Sequence, residues 1–231
     1  MKQTILVTGG TGFIGSHTTV ELQEAGYEVV IIDNLSNSNE NVLDGIEKIT
    51  GVRPAFEKVD CCDFDALEGV FKKYPKIEGI IHFAASKAVG ESVEKPLLYY
   101  RNNLVSLINL LELMPKYDVK GIIFSSSCTV YGQPSKENLP VTENAPVQKA
   151  MSPYGNTTGT ASFEVLVSPP SPSSAGWAVG LSSRLSKTPS GTGAQVDALV
   201  ESSSAAELLA QGTCCSSRAV KSFSSFLTWR R

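Results

Sequence analysis

The sequence predicts an α/β protein built on a doubly wound parallel sheet, with that fold confined to residues 1–157. Three observations carry the prediction. Short β-branched apolar runs alternate with amphipathic stretches along this segment. A glycine-rich loop follows the first apolar run and leads straight into a helix. Near residue 157 the composition changes abruptly and the alternation stops.

The elements read in order. Residues 3–8 are β-branched, apolar and end in glycines, as a buried parallel strand does. Residues 13–25 place Ile14, Thr18, Leu22 and Ala25 on one helical face, and Gly26 stops the helix. Residues 28–32 form the second strand. Residues 39–50 read as a helix, with Val42, Ile46 and Ile49 on one side. A strand at 55–59 precedes a helix at 64–73 that buries Leu67, Val70 and Phe71. Residues 79–85 are a near-continuous apolar strand. Residues 96–114 form a long helix that opens on Pro96, and 121–126 are a fifth strand. Strands alternating with helices imply right-handed crossovers and a sheet covered on both faces.

Composition excludes several classes. The chain has 231 residues, is 42% hydrophobic and 19% charged, and carries a net charge of −3. Its apolar runs fall far short of the roughly 20 residues that span a bilayer, and residues 5–7 are too short for a secretory core. Mild acidity opposes a nucleic-acid partner. Five cysteines, odd in number and without a C-x-x-C pair, fit neither a disulfide framework nor a zinc site. No metal, membrane or nucleic-acid role is expected, and reduced thiols point to the cytoplasm.

The compositional step is steep. Residues 1–157 hold 12 Ile and 11 Ser, whereas the last 74 hold no Ile and 17 Ser. The first part has 14 basic and 19 acidic residues (−5), the second 6 and 4 (+2). The run Ser168-Pro169-Pro170-Ser171-Pro172-Ser173-Ser174 breaks helices and strands alike. Residues 158–231 therefore read as a separate low-complexity segment, irregular and disordered or loosely packed, or as sequence that is not the fold's own continuation. Only 205–211 look locally helical. The sheet is expected to be incomplete, lacking its sixth strand and the helix that covers it.

The glycine loop reads Gly9-Gly10-Thr11-Gly12-Phe13-Ile14-Gly15, so Gly9, Gly12 and Gly15 form G-x-x-G-x-x-G between strand and helix. Glycine permits the sharp turn and the close approach to a pyrophosphate, and the helix start presents free N–H groups to it. Asp33 ends the second strand, 18 residues after Gly15. A carboxylate there accepts both ribose hydroxyls of an adenosine and repels a 2′-phosphate, which favours NAD over NADP. His82 and His17 read as packing residues. The pair Cys61-Cys62 reads as unreactive thiols.

Further runs narrow the reading: Asp33-Asn34-Leu35-Ser36-Asn37-Ser38, His82-Phe83-Ala84-Ala85-Ser86, Lys87-Ala88-Val89-Gly90-Glu91-Ser92, Tyr99-Tyr100-Arg101-Asn102-Asn103, Phe124-Ser125-Ser126-Ser127-Cys128-Thr129-Val130-Tyr131-Gly132 and Ser152-Pro153-Tyr154-Gly155. With the glycine loop, they make residues 2–157 resemble the extended short-chain dehydrogenase/reductase family, and within it the branch that epimerises sugar nucleotides. The resemblance implies a Rossmann-type NAD-binding domain and the interconversion of UDP-glucose and UDP-galactose through a 4-keto intermediate, in galactose metabolism. It also implies a homodimer.

By position, the resemblance places Gly9, Gly12, Phe13, Ile14 and Gly15 at the pyrophosphate. Asp33, Asn34, Leu35, Ser36, Asn37 and Ser38 fall around the adenosine ribose, with Asp60 and Cys61 beside the adenine. Phe83, Ala84, Ala85, Ser86, Lys87 and Asn102 fall on the nicotinamide side. Ser127 and Tyr154 are the implied catalytic residues, and Lys87 and Thr129 join them on the substrate side. Tyr154 would be the base and Ser127 would hydrogen-bond the same sugar oxygen. A free phenol titrates near ~10, so such a base needs nearby positive charge to act at pH 7.

The family supplies that charge through Tyr-x-x-x-Lys. Here Tyr154 is followed four residues on by Thr158. The lysine is absent, and impaired catalysis is expected. Two other readings follow: a related nucleotide-sugar epimerase or dehydratase, or a catalytically inactive NAD-binding module. A dehydratase would want an acidic pair beside Ser-x-Thr, where this chain has Cys128.

Overall fold

The computed structural model describes residues 2–136, 139–142, 145–167 and 178–181. Six parallel strands make one sheet in the order β3-β2-β1-β4-β5-β6. They are β1 (Thr4–Thr8), β2 (Glu28–Asp33), β3 (Ala55–Lys58), β4 (Ile77–His82), β5 (Gly121–Phe124) and β6 (Ala178–Leu181). The chain builds outward from β1 to β3, then returns to β1's other side with β4. That reversal opens a crevice at the C-terminal ends of β1 and β4, where doubly wound sheets hold ligands. Thr8 sits there in register with Ile32 on one side and His82 on the other.

Alternation across the pleat divides the core in two. Leu6, Val30, Ile32, Ile80 and Ile122 face α3 (Phe64–Lys73) and α6 (Ser106–Lys116), packing with Leu67, Phe71, Leu110 and Leu113. Ile5, Val7, Val29, Ile31 and Ile81 face α1 (Phe13–Glu24) and α2 (Val42–Thr50), through Leu22, Leu43 and Ile46. Asp63 caps α3 by accepting from the Ala66 N–H at 3.1 Å.

Several boundaries differ from the sequence reading. The second helix begins at Val42, because Asn39 and Asn41 are taken up in a side-chain turn before it. β4 ends at His82, and residues 83–88 form a loop leading to a short helix, α4 (Val89–Glu94), that no periodicity announces. The helix expected at 96–114 comprises α5 (Pro96–Tyr100), a π-turn (Arg101–Val105) and α6.

The largest differences lie beyond residue 157. A helix, α7, runs Pro153–Val167 across the compositional step. β6 pairs in parallel with β5, from Gly121 opposite Ala178 to Phe124 opposite Leu181. The sheet therefore has a sixth strand and a further helix. In the hydroxyl-rich turn the side chains satisfy their own hydrogens on the preceding turn, so they do not draw the backbone into a competing turn: Thr158 Oγ1 donates to the Tyr154 carbonyl at 3.0 Å, and Ser162 Oγ to the Thr158 carbonyl at 2.8 Å. Ala161, 1% exposed, joins the α3–α6 side of the core. The expected irregularity of residues 168–177 and 182–231, and the helix at 205–211, lie outside the described residues.

Candidate active site

The glycine loop packs backbone on backbone so closely that a side chain at Gly9 or Gly15 would clash. Gly9 adopts φ +67°, and a Cβ there would lie 2.8 Å from the Ala84 nitrogen. A Cβ on Gly15 would meet the Gly9 carbonyl oxygen at 2.3 Å. The turn is tied by Gly9 N–H to the Ile32 carbonyl (2.8 Å) and Gly12 N–H to the Gly9 carbonyl (3.1 Å). Gly12 starts α1 with no side-chain cap, so the first N–H groups of the helix face the crevice's ligand side. Phe13 is exposed at this rim, its ring edge-on to His17 at 4.8 Å.

Asp33 is the hub of the next loop. It is 8% exposed. Its Oδ1 accepts from the Leu35 N–H (2.9 Å) and the Ser38 hydroxyl (3.0 Å), and its Oδ2 from the Thr11 N–H (3.3 Å). Thr11 in turn donates to Ser38 at 2.8 Å. The carboxylate thus ties the glycine loop to residues 34–38, and holds Leu35 at a positive φ of 59°. Asn34 reaches across to Asp60 at 3.0 Å, and Asp60 also accepts from the Cys62 N–H at 2.8 Å. Burial pushes the Asp60 carboxyl up, but these two hydrogen bonds outweigh it and leave it below the ordinary range. Cys61 is buried and its thiol is pushed up by burial. Cys62 rises to about 11, through burial first and Asp60 second. Neither thiol ionises near neutral pH.

At the end of β4, Thr8 Oγ1 and His82 Nδ1 share a 2.7 Å hydrogen bond, and the Ala84 N–H donates to the same Thr8 oxygen at 3.2 Å. Burial lowers the His82 pKa to about 4, so the ring is neutral and structural, as its apolar strand suggests. The Ser86 N–H donates to Asn103 Oδ1 at 2.8 Å, and Asn102 donates to the Ser86 hydroxyl at 3.1 Å. Lys87 and Ala85 are exposed.

Ser127 ends the segment after β5 and caps a 3-10 turn, Cys128–Tyr131. Its Oγ accepts from the Thr129 N–H (3.3 Å) and the Thr129 hydroxyl (3.1 Å). Two donors on one oxygen leave the Ser127 proton free to point outward. Tyr154 stands in the first turn of α7 and is partly buried. Its helix presses on the serine segment: a Cβ on Gly155 would lie 3.3 Å from the Thr129 Cβ, and the Ser126 and Ser162 hydroxyls are hydrogen-bonded at 3.0 Å, with Ser162 accepting because its own hydrogen goes to the Thr158 carbonyl. The Tyr154 ring meets the fully buried Tyr99 edge-on, centroids 6.5 Å apart. Tyr99 hydrogen-bonds Glu91 (3.0 Å) and the Ala88 N–H (3.1 Å), joining the Lys87–Ser92 run to the tyrosine helix. Lys95 first and Tyr99 second hold the Glu91 carboxyl below its usual value.

Three residues in this assembly carry no role in the sequence reading: Tyr99 and Asn103, which stand in a quoted run, and Thr157. A π-turn and a hydroxyl-rich helix start carry no periodic signal. The adjacent Asn pair was the available cue. Among the described residues there is no cluster of His, Cys, Asp and Glu suited to a metal, and no helix long and apolar enough to cross a membrane.

A parallel sheet reversing at β1 and β4, a glycine loop at that point and an acid closing β2 define a Rossmann-type domain, with Ser127 after β5 and the Tyr154 helix packed beside it. The chain belongs to the NAD dependent epimerase/dehydratase family, whose sequence model matches residues 5–161. It is 52% identical over 156 residues to a UDP-glucose 4-epimerase of Schizosaccharomyces pombe, covering 67% of this chain and 43% of that protein. It is 54% identical over 153 residues to the UDP-glucose 4-epimerase of Bacillus subtilis, covering 66% and 44%. The crystal structure of UDP-glucose 4-epimerase from Bifidobacterium longum in complex with NAD+ and UDP superposes with a TM-score of 0.69 at 43% identity, covering 78% of this chain and 52% of that one. The chain spans under half the length of these curated relatives.

Proposed function

We propose that this chain carries the cofactor-binding and proton-transfer part of a UDP-glucose 4-epimerase, acting on UDP-glucose and UDP-galactose with NAD. The observation that supports it most is one convergence. The glycine loop, Asp33 and Ser127 all follow the C-terminal ends of strands of one parallel sheet, β1, β2 and β5, and the Tyr154 helix packs beside Ser127 through Gly155 and Thr129.

The residues fit the cofactor. Glycines at positions 9 and 15 let the loop backbone pack where a Cβ would clash, and the uncapped start of α1 at Gly12 would hold the pyrophosphate. Asp33 and residues 34–38 hold the adenosine ribose, with Asp60 and Cys61 beside the adenine. Phe83 through Lys87 and Asn102 hold the nicotinamide side. NAD, when bound, supplies the acceptor and donor of the hydride at sugar C4. Tyr154 takes the proton of the 4-hydroxyl and returns it. Ser127, fixed as an acceptor by Thr129, donates its own hydrogen to that oxygen and stabilises charge on it. Lys87 and Thr129 orient the substrate.

Thr158 supports a second reading, an NAD-binding module with little turnover. Its hydroxyl is committed to the Tyr154 carbonyl and brings no cation to the phenol. We further propose a cytoplasmic protein, in keeping with its free thiols Cys61, Cys62 and Cys128. A homodimer is supported by the exposed Val93, Leu97 and Ile108.

Calorimetric NAD titration together with a coupled UDP-galactose assay separates the readings. Binding with turnover supports the epimerase, and binding without turnover supports the module. Failure to bind NAD removes both.

A further inference from the structure

Asn103 is 6% exposed and uses every hydrogen-bonding position its side chain has. Oδ1 accepts from the Ser86 N–H at 2.8 Å and from Asn102 Nδ2 at 3.2 Å. Nδ2 donates to the Ser86 carbonyl at 2.9 Å and to Thr157 Oγ1 at 3.2 Å. Thr157, fully buried, passes its own proton to the Tyr154 carbonyl at 2.8 Å. The amide orientation is fixed chemically. Rotated by half a turn, it would set NH2 against the Ser86 N–H and oxygen against the Ser86 carbonyl.

Two of these bonds grip a single residue of the loop through its backbone. Asn103 therefore acts on Ser86 as a neighbouring strand would, beyond the point where β4 has ended at His82. The third reaches α7 one turn after its start, on the hydroxyl that holds the Tyr154 backbone. The π-turn supplies the geometry, since the wide turn at Arg101–Val105 sets Asn102 and Asn103 both toward the Ser86 loop.

We propose that Asn103 is the positioning residue that fixes the nicotinamide-side loop relative to the tyrosine helix. It touches neither cofactor nor substrate, and acts through Ser86 and Thr157. The inference rests on the nucleotide-site reading given above and adds a division of labour to it. Asp33 and the glycine loop hold the adenosine half whether or not Asn103 is intact, and Asn103 governs the other half.

The test compares two ligands on the full chain. ADP engages only the adenosine and pyrophosphate contacts, whereas NAD also needs the loop at residues 83–87. Asn103→Asp keeps the size and the acceptor toward the Ser86 N–H but loses both donors. Thr157→Val cuts the link to α7, together with the hydroxyl's bond to the Tyr154 carbonyl, leaves both Asn103–Ser86 bonds in place, and covers the case in which Asn103→Asp fails to fold. Calorimetry should give an ADP Kd within about twofold of the unaltered chain for both variants. The NAD Kd should rise about tenfold for Asn103→Asp and by a smaller factor for Thr157→Val. Equal weakening of ADP and NAD, or unchanged NAD binding in a folded variant, overturns the positioning role. If the unaltered chain binds neither ligand, the nucleotide-site reading falls, and the positioning role falls with it.

Discussion

The hydroxyl of Thr158 turns back onto the carbonyl of Tyr154, 3.0 Å away, and the residue is only 5% exposed. Position 158 is thus one helical turn from the phenol-bearing residue and filled by a neutral, internally satisfied side chain. Its interaction is with the tyrosine's backbone, not its ring. A cation introduced here would have to give up that hydrogen bond and extend from a buried site.

Turnover follows from this. The chain should convert UDP-galactose at least a thousandfold more slowly than a full-length relative, counting about tenfold for each unit by which a phenol is not made more acidic, and further loss from weak substrate positioning. Thr158→Lys alone should raise the residual rate by no more than about tenfold. Replacing residues 158–231 with the corresponding region of an active epimerase, beginning with lysine, should restore turnover. Robust conversion by the unaltered chain in a coupled assay would refute this.

Cofactor preference rests on Asp33. NAD should bind more tightly than NADP, because a 2′-phosphate would face this carboxylate. Asp33→Ala should narrow that preference and loosen the 34–38 loop, since three hydrogen bonds end on its oxygens. Fluorescence titration with both reduced cofactors decides it, and equal or tighter binding of NADPH by the unaltered chain is the contrary result.

Gly15→Ala should remove nucleotide binding more completely than any side-chain deletion in the loop. The added methyl meets backbone atoms of Gly9 and Gly10, which cannot move aside as a flexible side chain could. Thermal unfolding should show a loss of about 1–3 kcal/mol, the usual cost of overpacking. Gly45→Ala is the control, because a Cβ there meets nothing within 4 Å.

Stability should fall on mild acidification through His82. Its folded pKa, about 4, lies below the unfolded value near 6.5, so the unfolded state binds the extra proton between the two. The contribution is complete above pH 6.5 and is lost as the pH drops toward 4, to the extent of about 3 kcal/mol. His82→Gln should flatten that part of the profile measured by chemical denaturation at several pH values. An unchanged slope would show that other groups govern it.

The sequence made the first five strands and the glycine loop readable because β1, β2, β4 and β5 carry β-branched apolar runs, β3 falls between two amphipathic helices, and the loop needs glycine for steric reasons. Asp33 was readable for the same kind of reason, since its place at the strand end follows from the register of β2. Other elements left no such trace. The six residues of α4 complete no amphipathic face, and the break at Arg101–Val105 interrupts a helix whose apolar spacing continues past it. Residues 157–162 looked irregular because Ser and Thr are weak helix formers. Only the structure reveals that their hydroxyls bond the preceding carbonyls, and that Ala161 is buried against the sheet. The Tyr99–Glu91 and Asn103–Ser86 pairings join residues 8 and 17 apart across separate elements, and no local pattern encodes them.

The contacts described between α7 and its neighbours are Ser162 with Ser126, Thr157 with Asn103, Gly155 against Thr129, and the Tyr154 ring on Tyr99. These are hydroxyls, an amide, a bare backbone and an aromatic pair, and the one carboxylate nearby, Glu91, reaches the tyrosine helix only through Tyr99. The groups that touch the tyrosine helix are therefore uncharged, and the Glu91–Lys95 ion pair stands one side chain further out, behind Tyr99. Salt or a small change of pH acts on that outer pair before it acts on the seat of Tyr154.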